Sequence, residues 1–419
     1  MKDNRIFLLL YLFFFPLANL IGVSFLKSSN TIITYPQLST PIDGVSNYII
    51  MSNVSYEVVV NFTLTHKSGD GRYFFKFARL NSRMPNSPLT PYCPPYQESE
   101  LKLNNISGNI PSQTIIGQID RFNNTYDTFN ASLFVDERVT FYQTYDITIN
   151  AITFEDIDNS EIGIYDTSDE IFALYCNYSE PYYEINNPTL ISQSNNIVNP
   201  GDNPVEKAEK ICDWVSNYLK YNGKMPDQEI GALAAYNQEQ GDCSEFSSLM
   251  ITLLRIQGIP ARKVSGFLIS NDISTRPKVG DTWEFNAKGT ELNVLSNFLG
   301  HAWVEFYVEG IGWIACDPTW NQKAEYFAKS DYLRFSLNVG SNFFFPPLGT
   351  FSEFGNPIYG WHPTNTFDSN YNLQIRVVES NLTPVEPFPI FVVIFIVIGI
   401  GVILLPIAII LLLRRGSKK

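Results

Sequence analysis

A run of 24 apolar residues without a charged side chain, IFVVIFIVIGIGVILLPIAIILLL, occupies residues 390–413. About 20 such residues are enough to cross the hydrocarbon of a bilayer, so the run predicts a transmembrane helix. Pro406 is compatible with this interpretation, because membrane helices tolerate a proline kink. A buried core helix, which is the alternative, is seldom this long and this apolar. We therefore expect one membrane-spanning helix near the C-terminus.

The segments at the two ends predict how the chain is oriented. RRGSKK, residues 414–419, carries four Lys or Arg side chains, which favour the cytoplasmic side of a membrane. MKDNR precedes an apolar run at residues 6–23, as in a secretory signal peptide over residues 1–25; an uncleaved anchor is the alternative. We therefore expect a single-pass cell-membrane protein whose residues 25–385 are extracellular.

N-glycosylation motifs of the form Asn-x-Ser/Thr agree with an extracellular location. None of them falls between residues 200 and 365, which suggests that this stretch is a separate unit. The seven motifs begin at Asn53, Asn61, Asn105, Asn123, Asn130, Asn177 and Asn381.

Composition excludes one class of partner. The formal net charge is −13, and four of the basic residues lie in the last six positions. A nucleic-acid-binding protein needs a basic face, and none is visible in the sequence. Hydrophobic residues make up 45% of the chain and charged residues 17%, which is typical of a globular protein.

The hydrophobic pattern changes near residue 186. Before it, short alternating runs such as YEVVVNFTL and RVTFYQTYDITINAITF predict an all-β, sandwich-like domain. After a polar stretch, helical spacing over residues 205–219 and 243–257 predicts two helices. Strand-like runs follow, including RKVSGFLIS, HAWVEFYV and GWIACDPTW. Helices followed by an antiparallel sheet predict the α+β class.

GDCSEF, residues 241–246, is the first candidate for chemistry. Asp242 is placed to cap a helix, so Cys243 would lie in the first helical turn. Free amide groups and the helix dipole at that end favour a thiolate of lowered pKa and could hold an oxyanion. The alternative is a small core residue, which is the commoner role of a cysteine in an apolar helix.

HAWVEFYVEGIGWIACDPTW predicts a β-hairpin with its turn near residues 309–312. Such a turn would place His301 and Asp317 side by side on neighbouring strands. A general base and the carboxylate that orients it need this proximity. His66 and His362 lie in other parts of the sequence, so they are weaker partners for a catalytic thiol.

These motifs resemble the transglutaminase-like superfamily. The matching segments are GDCSEF, LLRIQGIPARKVSGF, HAWVEFYV and WIACDPTW, within residues 203–325. The resemblance implies a papain-like fold in which Cys243 is the nucleophile, His301 the general base and acid, and Asp317 the orienting residue. It also implies that the preceding β domain and the anchor are accessory.

The domain prediction combines these patterns. In order, it is a signal peptide or anchor at 1–25, a β domain at 30–185, a linker at 186–204, a transglutaminase-like catalytic domain at 205–365, a juxtamembrane stalk at 366–389, the transmembrane helix at 390–413 and a basic tail at 414–419.

The sequence departs from the animal crosslinking members of the family. Ser244 follows the nucleophile where those enzymes have Trp, and their calcium sites are not recognisable. The chain therefore resembles the microbial group, which is associated with peptidase and amidase activity. Gln238 and Gln240 are the candidates for an oxyanion-binding side chain, with a plain polar loop as the alternative.

Four cysteines remain once Cys243 is assigned to chemistry. Cys93 and Cys176 both fall in the predicted β domain, so a disulfide between them is the simplest arrangement outside the cell. Cys212 and Cys316 either form a second bridge or remain buried thiols. The histidine and cysteine spacing predicts no zinc site, and no metal or other cofactor is expected.

The expected activity is acyl transfer through a thioester at peptide or side-chain amide bonds of a protein or peptide substrate at the cell surface. Hydrolysis is favoured slightly, because water needs no acceptor pocket. Transfer to an amine, which would crosslink proteins, is one alternative, and a catalytically silent adhesion or scaffold protein is the other. Trp303 is a candidate for the substrate groove, although a packing role is more common for such a residue.

Overall fold

The structure is a computed structural model. It describes residues 48–84, 92–108, 115–155, 157–176, 180–225, 229–290, 294–321, 326–340, 343–345, 349–351, 358–361 and 365–382. The described elements up to Asn381 lie in one compact unit. The predicted segments 1–25 and 390–413 lie outside the described residues. No helix within the described residues is both long and apolar enough to cross a membrane.

Five helices occur in the described ranges, and their ends follow sequence signals. The helices are α1 (Glu170–Tyr175), α2 (Pro188–Ile197), α3 (Pro204–Tyr218), α4 (Ala232–Gln238) and α5 (Cys243–Ile256). The side chain of Asn203 accepts a hydrogen bond from the Glu206 amide and the Glu206 carboxylate accepts one from Asn203, which forms a capping box at α3. Both helices predicted from spacing are confirmed to within one residue.

Nineteen strands occur in the described ranges. They are β1 (Tyr48–Ser68), β2 (Arg72–Ala78), β3 (Gln97–Ser107), β4 (Ile115–Ile119), β5 (Thr125–Ser132), β6 (Arg138–Phe154), β7 (Lys220–Tyr221), β8 (Gln240–Gly241), β9 (Ala261–Leu268), β10 (Thr282–Thr290), β11 (Val294–Ser296), β12 (Leu299–Val308), β13 (Gly312–Cys316), β14 (Lys329–Ser330), β15 (Arg334–Val339), β16 (Phe343–Phe345), β17 (Gly349–Phe351), β18 (Ile358–Trp361) and β19 (Thr366–Asn381).

The largest sheet has the strand order β11-β10-β19-β1-β6-β14, with β3 also paired to β6. Along the 21 residues of β1, buried and partly exposed side chains alternate, as expected for a strand with one face in the core. A second sheet of order β18-β2-β5-β4 packs on the inner face through phenyl rings. The ring centroids of Phe77 and Phe141, one from each sheet, are 4.0 Å apart. The N-terminal half is thus β-rich, as predicted.

Two of the expected domain boundaries differ from the structure. Residues 188–197 of the predicted linker form α2, because Asn187 caps the helix and Pro188 begins it. Residues 366–381 of the predicted stalk form β19, which is hydrogen-bonded to β1 and β10. The apolar residues of β19 that face the core make a strand more favourable than an exposed stalk. The large sheet therefore contains strands from both halves of the chain.

A four-stranded antiparallel sheet of order β13-β12-β9-β15 packs against α5. The side chains of β9 and β13 are buried along their whole length. Nearly all of α5 is buried as well, so it is a central helix rather than a surface one. This packing holds the N-terminus of α5 next to β12, which is the arrangement that builds the site described below.

Candidate active site

Cys243 is the first residue of α5, where a capping box fixes the backbone. Asp242 Oδ1 accepts a hydrogen bond from the Ser244 amide at 2.8 Å, and Glu245 Oε2 accepts one from the Asp242 amide at 3.1 Å. Gly241 allows this geometry, because a Cβ there would lie 2.3 Å from Glu245 Cβ. The GDCSEF segment therefore holds Cys243 at a defined point, with only 2% of the residue exposed.

The pKa of the Cys243 thiol is raised well above its usual value, first by burial and then by the negative charge of Asp242. The expectation of a lowered pKa from the helix dipole is therefore wrong. A hydrogen bond from the Ala302 backbone N–H stabilises the thiolate but does not overcome the burial. Burial and the neighbouring Glu245 also raise the pKa of Asp242. The resting thiol is thus protonated and needs a base.

The predicted β-hairpin is present. Strands β12 and β13 pair from Val304↔Cys316 to Val308↔Gly312, which places the turn at residues 309–311. His301 and Asp317 lie just beyond the open end of this ladder, and His301 Nε2 is 2.6 Å from Asp317 Oδ2. Both residues are buried. Because Ala302 contacts the Cys243 thiol, the thiol lies beside the position that follows His301 on β12.

The Asp317 carboxylate is fixed on both of its oxygens. Oδ1 accepts hydrogen bonds from the amides of Thr319 at 3.0 Å and Trp320 at 3.3 Å, while Oδ2 contacts His301. Burial disfavours ionisation of this carboxyl, but His301 and Arg334 outweigh the effect and lower its pKa to about 2. Asp317 is therefore an anion at neutral pH and can only accept hydrogen bonds from the imidazole.

Arg334, the first residue of β15, is a site residue that the sequence did not reveal. Its Nη2 atom is 2.8 Å from Asp317 Oδ2, the same oxygen that contacts His301. Its Nη1 atom hydrogen-bonds to Asp331, and its guanidinium carbon lies 4.2 Å from the centre of the Tyr326 ring. A lone arginine in DYLRF carries no signal of this contact, because the contact depends on how β15 packs.

A protein-family model matches part of the chain. Residues 191–318 match the model of the Transglutaminase-like superfamily. They form a transglutaminase-like core. The resemblance seen in the sequence motifs is therefore confirmed for this segment.

Curated relatives match the chain over limited lengths. The uncharacterized Bacillus subtilis protein YebA is 32% identical over 124 residues, which cover 28% of this chain and 16% of YebA. A Pseudomonas aeruginosa protein named protein-glutamine gamma-glutamyltransferase is 30% identical over 96 residues, which cover 22% of this chain and 11% of that protein. The matched stretches are thus a minor part of these relatives' own length.

Two solved structures match with low sequence identity and TM-scores below 0.5. A Cytophaga hutchinsonii protein described as a proposed cysteine protease has a TM-score of 0.49 at 15% identity, covering 81% of this chain and 96% of its own. The red sea bream transglutaminase has a TM-score of 0.25 at 15% identity, covering 58% of this chain and 49% of its own.

Aromatic rings surround His301 in the transglutaminase-like core. The ring of Trp303 stacks on the imidazole at 6.2 Å between centroids, but only 5% of this residue is exposed. Trp303 therefore has the packing role that was the alternative for this residue, in contact with the ring of His301. Trp320 is partly exposed and contacts His301 edge-on at 6.3 Å, so it is better placed to meet a substrate.

The two candidate oxyanion residues differ in their positions. Gln240 lies in β8, which leads directly into α5, and its Oε1 atom accepts a hydrogen bond from Asn222 Nδ2 at 3.4 Å. Gln238 is exposed at the end of α4. Only Gln240 is therefore on the segment that immediately precedes Cys243, and it is partly buried there.

All five cysteines are free thiols, so the predicted Cys93–Cys176 disulfide is wrong for this structure. Cys93 instead receives hydrogen bonds from the buried guanidinium groups of Arg83 at 3.6 Å and Arg262 at 3.8 Å. Cys176 ends helix α1. The two hydrogen bonds from arginine explain how the Cys93 thiol can be buried without forming a disulfide.

Cys212 of α3 and Cys316 of β13 are buried thiols, which is one of the two alternatives for this pair. Each lies in the main core, and the two thiols hydrogen-bond to each other. Cys316 also contacts the sulfur of Met250 at 3.8 Å. Cys316 therefore belongs to the packing beneath Asp317.

Other candidate residues lie away from the core site. His66 is buried on β1, where its Nδ1 atom is 2.8 Å from the Tyr73 hydroxyl. His362 and Asn177 fall outside the described residues, and the six other glycosylation motifs begin at residues that are exposed or partly exposed. Among the described residues, no three His, Cys, Asp or Glu side chains are grouped as a metal site.

Proposed function

We propose that this chain is a cysteine enzyme that transfers acyl groups from peptide or side-chain amides through a thioester. The observation that carries the proposal is the 2.6 Å contact of His301 Nε2 with Asp317 Oδ2, at the strand that also contacts the Cys243 thiol. A buried base held by a carboxylate next to a thiol is the arrangement that nucleophilic catalysis requires.

In the first half of the reaction, His301 accepts the thiol proton through its other ring nitrogen, Nδ1, while Nε2 remains bonded to Asp317. The Cys243 thiolate attacks the amide carbonyl carbon and forms a tetrahedral oxyanion. The imidazolium then donates the proton to the leaving nitrogen. The carbon–nitrogen bond breaks, an amine or ammonia leaves, and a thioester remains on Cys243.

In the second half, His301 removes a proton from water or from an acceptor amine, which attacks the thioester carbonyl. Collapse of the second tetrahedral intermediate breaks the carbon–sulfur bond and returns the proton to Cys243. Water gives a carboxylic acid, whereas an amine gives a new amide. Asp317 stabilises the imidazolium in both halves and stays ionised, consistent with its pKa of about 2.

The oxyanion would be held by donors at the start of α5. Backbone amides of the first helical turn point toward a negative charge at this end of a helix. Gln240 is on the preceding strand and is the side chain we assign to the same role, since Gln238 is exposed. Loss of one such donor typically lowers the rate constant by about 10²–10³.

Hydrolysis is the outcome we favour, because water needs no binding pocket of its own. Transfer to an amine is the second candidate, supported by the match to the Pseudomonas aeruginosa relative that is named a protein-glutamine gamma-glutamyltransferase. A glutamine peptide incubated with and without a primary amine separates the two. Mass spectrometry would find glutamate after hydrolysis and the amine-linked product after transfer.

An alkylation experiment tests whether the chain is an enzyme or a silent scaffold. A reactive Cys243 should be labelled by a neutral alkylating reagent much faster than the other thiols, and His301→Ala should abolish the difference. Cys316→Ser, which removes a buried thiol one residue from Asp317, is the matched control and should leave Cys243 labelling unchanged. Equal labelling of Cys243 with and without His301 would refute the enzyme proposal.

The surface location is part of the same proposal. The charge-free run at residues 390–413 and its basic flank support a single membrane anchor with the enzyme outside. Protease added to intact cells should then release the transglutaminase-like core. Complete protection of the core under these conditions would contradict this orientation.

A further inference from the structure

Asp317 Oδ2 has two partners that compete for it. His301 Nε2 lies at 2.6 Å on one side and Arg334 Nη2 at 2.8 Å on the other. The carboxylate's other oxygen is already occupied by two backbone amides. Any proton that His301 gains during the reaction must therefore be stabilised by an oxygen that is also bonded to a permanent cation.

Arg334 is held in place on several sides. Its side chain is buried, Asp331 binds its Nη1 atom, and the Tyr326 hydroxyl donates a hydrogen bond to that same Asp331 carboxylate. The Tyr326 ring stacks against the guanidinium, and the Trp320 ring lies 5.7 Å from its central carbon. The guanidinium thus has one defined position, with a carboxylate on each side.

Sheet register explains how Arg334 reaches the site. Strand β9 lies between β12 and β15, and Gly266 of β9 pairs with His301 on one side and Ser336 on the other. A Cβ at Gly266 would lie 1.7 Å from the Phe335 carbonyl oxygen, so only glycine permits this close approach of β15. The strand that carries Arg334 is therefore brought beside the His301–Asp317 pair by the packing of the sheet.

We propose that Arg334 is a positioning residue: its guanidinium holds the Asp317 carboxylate against His301 and, through its charge, sets the pH range over which His301 accepts the thiol proton. This inference rests on the proposed function, in which His301 is the base. Arg334 does not touch the substrate or the thiol in this role. It acts on His301 only through the shared oxygen of Asp317.

The direction of the effect follows from the charges. A cation on Asp317 weakens the stabilisation that this carboxylate gives to an imidazolium, so removing that cation should strengthen it. A neutral imidazole is the form that can take a proton from a thiol whose pKa is raised by burial. Titratable and charged groups around the pair and the thiol come from β7, the start of α5, β15 and the loop before β15. They are Tyr221, Asp242, Cys243, Glu245, Arg334, Tyr326 and Asp331.

Three variants separate a charge effect from a packing effect. Arg334→Gln removes the cation, and we expect the titration midpoint of the His301 ring to rise by about one pH unit, because Asp331 already screens part of the charge. Arg334→Lys keeps the cation and should restore the midpoint close to that of the parent. Asp331→Asn leaves Arg334 in place without its second carboxylate, so the midpoint should fall.

The titration is measured by NMR on the full chain with isotope-labelled histidine, in a Cys243→Ala background that removes coupling to the thiol. The chain has three histidines, and the spectrum of His301→Ala assigns the signal. In variants that keep Cys243, the pH at which the alkylation rate of this thiol falls on the acid side should shift in the same directions. Thermal unfolding of each variant confirms that it is folded.

The outcomes distinguish this inference from the proposed function. Unchanged midpoints in Arg334→Gln and Asp331→Asn, with Cys243 still reactive and dependent on His301, would overturn the role of Arg334 and leave the enzyme proposal standing. If the midpoints shift but alkylation of Cys243 does not depend on His301, Arg334 is electrostatically coupled to His301 but the enzyme proposal is refuted. The positioning role of Arg334 is then refuted with it. If Arg334→Gln does not fold, the other two variants still test the inference, because Arg334→Lys should keep the midpoint of the parent and Asp331→Asn should lower it.

Discussion

Replacing Glu305 by Gln should destabilise the protein strongly, because this carboxylate is the only acid among the contacts described for two buried arginines. Its Oε2 atom hydrogen-bonds to Arg83 Nη2 and to Arg262 Nε, the latter at 2.8 Å. All three side chains are at most 2% exposed. Burial disfavours the charged form of Glu305, but the two guanidinium groups outweigh this and lower its pKa. Its anion therefore balances cations from two regions of the chain.

The magnitude follows from leaving these cations unpaired. Removing one partner of a buried ion pair costs about 3–5 kcal/mol, because the remaining charge is desolvated without compensation. Glu305→Gln leaves two such charges, so we expect a loss near the upper end, about 5 kcal/mol of unfolding free energy. The guanidinium of Arg262 would keep its contact with the Trp313 ring at 3.7 Å, which offsets only a small part of the loss.

Glu57→Gln is the matched control. Glu57 forms an ion pair with Arg376 between neighbouring strands, but the side chains are 42% and 58% exposed. Exposed pairs contribute about 0–1 kcal/mol, so this variant should lie within about 1 kcal/mol of the parent. Urea unfolding followed by tryptophan fluorescence measures both. Equal losses for Glu305→Gln and Glu57→Gln would refute the argument that burial of the two arginines makes Glu305 important.

A double variant tests whether unpaired charge causes the loss of stability in Glu305→Gln. Arg83→Met together with Glu305→Gln removes one of the two unpaired charges, so it should recover part of the stability lost in Glu305→Gln. A further loss in the double variant would point to packing rather than charge.

Three further predictions concern the site and the thiols. Asp317→Asn should retain the fold but slow the His301-dependent alkylation of Cys243 by on the order of 10²–10⁴, as measured by peptide mass spectrometry, because the amide favours the wrong imidazole tautomer; an unchanged rate would contradict the orienting role. The pKa of Asp317 is lowered from 3.8 to about 2, so its contribution of about 2 kcal/mol should be complete above pH 4 and lost as the pH falls toward 2. Other carboxylates, such as Glu305, also have lowered pKa values, so over that range urea unfolding should show a loss of stability about 2 kcal/mol larger in the parent than in Asp317→Asn. Unfolding without reductant should make all five thiols available for alkylation, and recovery of a bridged Cys93–Cys176 peptide would be inconsistent with the structure.

Local signals predicted the parts of the site that depend on neighbours in sequence. The capping residue before Cys243 and the hairpin that brings His301 to Asp317 are both set by short segments, and the structure contains both. The pKa of the thiol was not predictable in the same way. It depends on how deeply α5 is buried, which is a property of the whole core.

Contacts between distant segments could not be read from the sequence. Arg334 reaches Asp317 because of the register of β15 on β9, and that register depends on close packing at Gly266. β19 pairs with β1 although, for example, Glu57 and Arg376 are 319 residues apart. Hydrophobic alternation indicates that such strands exist, but it does not specify which strands become neighbours.

Strand β19 has a mechanical consequence for the protein. It is hydrogen-bonded to β1 from Thr366 to Asn381 and to β10 on its other edge. A pulling force applied along this strand from Asn381 would shear both ladders at once, so many hydrogen bonds would resist together instead of opening one after another. A chain held by residues beyond Asn381 would therefore transmit tension into the centre of the largest sheet, and its resistance to force would be set by the unfolding barrier of that sheet.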